Sequence, residues 1–149
     1  MNLSQEVAPN LPGIEQLRML MATGRRPPIA ETLDFDLVEL GDGIAVFAGR
    51  PGPKVYNPIG SVHGGYAATL LDSACGCAAH TKLAAGQAYT TLELKVAYHK
   101  AMTAQTGLIR AEGKVISFGR RAAFAEARII DADGRLYASA TSTLLIMTP

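Results

Sequence analysis

The segment from Asn57 to Asp72, NPIGSVHGGYAATLLD, gathers the residue types that could do chemistry. Its one acid, Asp72, sits among small and apolar residues, where an unpaired carboxylate is costly or shifts its pKa. Upstream, His63, Gly64 and Gly65 stand where a helix would begin. Glycines at a helix start leave backbone N–H groups without intrahelical partners and without side chains in front of them, and the helix dipole favours negative charge there. Such a terminus accepts an anion or a polarised carbonyl oxygen, which makes it a candidate oxyanion hole, with Asn57 on the loop before it. Asp72 follows Gly64 by eight residues, roughly 12 Å along a helix axis. One substrate atom cannot touch both within a single chain. The spacing therefore favours a site shared by two copies, with Asp72 of one approaching the glycine terminus of the other.

These residues need elements to hold them. Residues 13–23 carry Ile14, Leu17, Leu20 and Met21 at helical spacing, and Gly24 with Pro27-Pro28 ends that short helix. Leu33, Phe35 and Leu37 alternate with Asp34 and Asp36, which reads as a strand, and Gly41-Asp42-Gly43 turns it into a second strand, GIAVFAGR. A Pro/Gly-rich loop over 51–61 leads to a long helix that starts at Ser61 or His63 and ends near Ala84-Ala85-Gly86. Four strands follow: Tyr89 to His99, with Leu92, Leu94, Val96 and Tyr98 on one face, then Gly107 to Ile116, Ala122 to Ile130 and Leu136 to Met147. The long helix is apolar nearly all round, so it should be wrapped rather than laid on a surface. The expected fold is α+β: a strongly curved antiparallel sheet of about six strands around one central helix. One domain covers 1–149, with residues 1–12 expected to be flexible.

Bulk properties narrow the function. Fourteen Lys plus Arg against thirteen Asp plus Glu give a net charge of +1, no global field for gripping nucleic acid or an anionic membrane. The charge is uneven, however: residues 93–128 carry seven bases and three acids, a stretch that could meet a small anionic ligand. Cys75 and Cys77 diverge on a helix by about 200° and do not face each other. With His80 and His99 they form no recognised metal spacing, so no metal is expected. The start of the chain lacks a secretory pattern, and the longest apolar run contains His63 and Asp72, which argues against a membrane span. A cytoplasmic protein is expected. The Met19, Leu20, Met21 group is read as core, with the wall of an acyl pocket as the alternative.

The pattern N-P-x-G-x-x-H-G-G, with Asp72 nine residues after the His, the strand Thr90 to Tyr98, and the ending Asp131-Ala132-Asp133-Gly134-Arg135-Leu136 together resemble the hotdog-fold acyl-CoA thioesterases of the phenylacetate-pathway (PaaI-like) branch. The resemblance spans about residues 13 to 147. It implies a helix wrapped by a sheet, homodimers that usually pair into tetramers, and hydrolysis of the thioester of coenzyme A, which enters as substrate and not as cofactor. By the same resemblance Asp72 is the carboxylate that acts as nucleophile or as general base on water. Gly64 offers the N–H that binds the thioester oxygen, His63 and Asn57 are the polar groups beside it, and Gly65 adjoins the ligand. The family's hydroxyl residue falls on Thr91, with Thr90 as the alternative, since strand neighbours face opposite sides. Arg120 and Arg121, at a hairpin tip, are expected to meet the phosphates of coenzyme A as fork donors, with contributions from Lys95, Lys100 and Arg128. Two other readings remain open on one fold, an acyl-thioester hydratase or dehydratase and a non-catalytic acyl-CoA binding module.

Overall fold

A computed structural model describes residues 2–149. Three short helices come first: α1 (Leu3–Val7), α2 (Gly13–Thr23) and α3 (Pro28–Leu33). Strands β1 (Phe35–Gly41) and β2 (Ile44–Gly49) lead to the central helix α4 (Gly64–His80), which is followed by β3 (Ala88–Tyr98), β4 (Ile109–Phe118), β5 (Ala122–Asp131) and β6 (Leu136–Met147). All six strands form one antiparallel sheet in the order β1-β2-β4-β5-β6-β3. The sheet curves about α4, as the apolar circumference of that helix requires. No helix of the described residues is long and apolar enough to cross a membrane.

The core lies between α4 and the inner sheet face. Leu70, Leu71, Ala74, Cys75, Ala78 and Ala79 are fully buried against Ile109, Ala111, Ala125, Ile129 and Leu144. Each leucine so placed contributes roughly 1.5 to 3 kcal/mol. Small residues set how closely the layers approach: a Cβ on Gly113 of β4 would fall inside the Ala74 carbonyl of α4. The end of α4 is fastened too. Thr81 donates its hydroxyl to Ala78 O at 2.6 Å and accepts Gly43 N–H of the β1–β2 turn at 2.8 Å. That is why the helix stops at His80, short of the expected Ala84 to Gly86.

Other elements differ from the sequence reading for local reasons. The Pro27-Pro28 pair that ends α2 also opens α3, because proline suits the first helical position. Leu33 therefore closes a helix, and β1 begins at Phe35 after Asp34 turns left-handed at φ +57°. Helix α1 lies inside the stretch assigned no element, with Asn2 Oδ1 accepting Gln5 N–H as its cap. Strand β3 carries a bulge: Thr91 pairs with Leu144 and Glu93 with Thr143, leaving Leu92 unpaired. Leu92 is 58% exposed while Leu94 and Val96 pack on the core, so Leu92 does not share their face. Met19 and Met21 are exposed, and the core they were expected to join excludes them.

Helices α1, α2 and α4 are joined by a polar relay. Gln16, 4% exposed, donates Nε2–H to Ala8 O at 3.3 Å, and its Oε1 meets His80 Nε2 at 2.9 Å. With the amide nitrogen committed to a carbonyl, Oε1 is the acceptor and His80 Nε2 carries the proton. Burial lowers the His80 imidazole from 6.5 to about 4.

Two measurements check this packing. Gly113→Ala should lose about 2 kcal/mol or more of unfolding free energy in urea, the cost of overpacking against backbone; unchanged stability would mean that α4 sits farther from β4. For His80, the unfolded chain binds a proton between 4 and 6.5 that the folded chain refuses, so stability is complete above that window and falls as pH drops through it. Wild type should therefore lose up to about 3 kcal/mol relative to His80→Gln between neutral pH and about pH 4. A constant difference between the two proteins would contradict a buried neutral imidazole.

Candidate active site

The loop before α4 is locked by Asn57. Its Oδ1 accepts Ile59 N–H at 3.0 Å and Ser61 N–H at 3.1 Å, and its Nδ2 donates to Ser61 Oγ at 3.0 Å. Both polar ends of the side chain are thus engaged within its own loop, which shapes the approach to the helix. Val62 N–H then bonds to Met102 O at 2.9 Å and His63 N–H to Val55 O at 2.8 Å, fixing the first residue of the site.

His63 caps α4, with Nδ1 accepting Gly65 N–H at 2.7 Å. The ring therefore carries its proton on Nε2. This bond uses the Gly65 N–H, which sequence reasoning had left open to a ligand. Gly64 N–H has no partner among the described residues, so a single main-chain donor stands bare at the helix tip. Its carbonyl is held from the other side, where Tyr98 donates its hydroxyl to Gly64 O at 2.6 Å. A Cβ on Gly64 would come 2.9 Å from that hydroxyl, so Tyr98 and any side chain at position 64 exclude each other. Tyr98 reads in the sequence as the last apolar residue of a strand face; nothing local announces a partner thirty-four residues away.

Two turns along α4, Asp72 is half-buried and accepts the Thr91 hydroxyl on Oδ1 at 2.9 Å. The bulge at Leu92 makes this contact possible. Unbroken alternation would set Thr91 opposite Leu94 and Tyr98; the extra residue brings Thr91 onto the inner side with them and leaves Thr90 exposed. Asp72 is not sealed off. It opens on a cleft of about 510 Å³ whose walls include Thr91, Tyr89, His80 and Gln16. Cys77 nearby is inert, its thiol pushed up to about 12 by burial and by the Asp72 charge, and Cys75 is raised to about 12 for the same reasons.

The expected coenzyme A contacts separate. Arg120 and Arg121 are exposed at the β4–β5 hairpin and form no ion pair among the described residues. Arg121 O accepts Ile146 N–H, and Ile146 pairs with Tyr89, so the hairpin lies at the end of the sheet that carries Thr91. Lys95 instead lines a cavity of about 760 Å³ on the outer sheet face with Glu126 and Arg128, away from α4. Arg128 pairs with Glu112 at 3.3 Å, and Lys100 sits over the Tyr137 ring at 5.7 Å. A single chain does not bring these three to Asp72. Nor does it bring Gly64, eight residues up the helix.

Comparison with known proteins agrees with this geometry. Residues 59–138, just over half of the chain, match the family model described as the thioesterase superfamily. The chain is 27% identical over 118 residues to a 1,4-dihydroxy-2-naphthoyl-CoA hydrolase of Listeria monocytogenes, covering 79% of this chain and 94% of that one. Among solved structures, a conserved protein from Pseudomonas aeruginosa superposes with a TM-score of 0.76 at 30% identity, covering 82% of this chain and 95% of the other. A thioesterase described as related to phenylacetic acid degradation, from Ralstonia eutropha, superposes with a TM-score of 0.76 at 26% identity over 87% and 97% of the two chains. With its helix-wrapping sheet and this family match, the chain belongs to the thioesterase superfamily, as a hotdog-fold thioester hydrolase.

Proposed function

We propose that the protein hydrolyses acyl-CoA thioesters at a site composed from two chains, within the phenylacetate-pathway branch of hotdog thioesterases. The observation that carries this reading is the placement of the two polar centres at opposite ends of one edge strand. Thr91 near the start of β3 touches Asp72, and Tyr98 at its end touches Gly64. Strand β3 pairs with β6 alone and leaves its other ladder bare. Antiparallel pairing of two β3 strands about a twofold exchanges their ends, so Asp72 of one copy approaches Gly64 of its partner.

In that arrangement the thioester carbonyl oxygen accepts Gly64 N–H, with His63 Nε2–H beside it, and both are set before negative charge develops there. Asp72 Oδ1 is held by Thr91, leaving Oδ2 for the reaction. As general base, Oδ2 takes a proton from water while the water oxygen bonds to the carbonyl carbon; the C–S bond then breaks and the thiolate of coenzyme A leaves with a proton. As nucleophile, Oδ2 itself bonds to that carbon and water later cleaves the anhydride. A thiolate is a good leaving group, so neither route needs a metal or strong acid assistance. Arg120 and Arg121 meet the phosphates of coenzyme A. Aryl and short-to-medium acyl groups are the favoured substrates, in keeping with the names of the Listeria and Ralstonia relatives.

Asp72→Asn should keep its thermal unfolding and lose at least about 100-fold in free-thiol release from phenylacetyl-CoA; near-wild-type turnover would remove Asp72 from the chemistry. Sharing of the site has a separate test. Asp72→Asn and Gly64→Val homo-oligomers, each inactive, should regain roughly a quarter of wild-type activity when unfolded and refolded together, because half the mixed dimers' sites are intact. No recovery would place both groups in one chain. Replacing Arg120 and Arg121 together by alanine should raise KM for the ester more than it lowers kcat, and an unchanged KM would exclude them.

A further inference from the structure

The cleft beyond Asp72 has a chemistry of its own. Asp72, Gly76 and His80 fall at i, i+4 and i+8 of α4 and so share one helix face, a stripe roughly 12 Å long. Gly76 at its middle carries no side chain, and the Tyr89 hydroxyl fills the place, 2.7 Å from where a Cβ would stand. The stripe ends at His80 and Gln16, with Ser4 and Gln5 of α1 lining the same cleft. Among the lining residues only Leu83 and Ala88 are aliphatic, and only Asp72 is a charged group.

A pocket built for a saturated chain is mostly apolar. An alkyl group laid along this one would leave buried polar groups without partners, at a cost. Gln16 fixes what the far end can bind. Its Nε2 is committed to Ala8 O and its Oε1 takes the His80 Nε2 proton, which leaves His80 Nδ1 as a lone-pair acceptor to which no described group donates. Burial keeps that ring neutral at physiological pH. With no cation lining the cleft, a carboxylate at the far end has no counter-charge.

We propose that this stripe is an acyl-recognition subsite in which His80, positioned by Gln16, accepts a hydrogen bond from a neutral hydroxyl at the end of the acyl group remote from the thioester. The inference rests on the thioesterase reading for the placement of the thioester beside Asp72, and it deepens that reading by naming the substrate class as ω-hydroxylated or ring-hydroxylated acyl-CoA.

Matched pairs test it: ω-hydroxydecanoyl-CoA against decanoyl-CoA, and hydroxynaphthoyl-CoA against naphthoyl-CoA. Wild type should favour the hydroxylated member of at least one pair by about tenfold in kcat/KM, the worth of one neutral hydrogen bond. His80→Phe and Gln16→Leu should each bring that ratio close to one. Equal kcat/KM for both members of both pairs in wild type overturns the subsite, and so does a preference that survives both substitutions; if the variants fail to fold, the wild-type ratio decides alone. Calorimetric binding of the same esters to Asp72→Asn separates the two readings. Absence of thiol release from every ester with wild type defeats hydrolysis, while the binding ratio still supports or overturns recognition of the hydroxyl.

Discussion

A carboxylate on an apolar, wrapped helix is the constraint to which the surrounding structure answers. Asp72 can remain there because Thr91 supplies a hydroxyl at 2.9 Å and because one side stays open to a cleft. The hydroxyl reaches it only through the irregularity at Leu92, which rotates the first part of β3 relative to the rest. Without that extra residue the strand would keep either Thr91 or the Leu94 and Val96 packing turned inward, but not both. A local defect in pairing thus reconciles the needs of the core with those of the acid.

At the other end of α4 the reconciliation is made by hydrogen bonds. The Gly64–Gly65 peptide is gripped on both faces, its carbonyl by Tyr98 and its N–H by His63. That grip removes one of two potential donors and fixes the direction of the other. Preorganisation of this kind matters more to a developing oxyanion than the number of donors, since dipoles that are already oriented need no rearrangement when charge appears. The glycine at 64 is required by the closeness of Tyr98.

Much of this was legible in the sequence because it is written in contiguous patterns. The apolar circumference of α4, the alternation of the strands and the Gly and Asp turns each report on neighbours within a few residues. The acid and the glycine tip were legible for the same reason, since one segment holds both. The illegible parts depend on pairings across the chain. Only β6 reveals that Leu92 is skipped, only the tertiary fold brings Gln16 to His80 across sixty-four residues, and only the His63 cap shows that Gly65 is spent. Proline misled in a definite way: Pro27-Pro28 was read as an ending when it is equally a beginning, because the missing N–H is harmless at a first helical turn.

The two margins of the sheet are unlike. The β1 margin is seven residues long, carries Asp36 and Glu39, and shifts register between Leu37 and Glu39, all features that discourage a foreign strand. The β3 margin is eleven residues long and bears a single acid and a single base, Glu93 and Lys95. A molecule with one adhesive border and one blunted border can join another of its kind only once along that direction. Growth by strand addition therefore halts at a closed pair, and the fold is protected from running on into a fibre by the same asymmetry that leaves β3 free to pair.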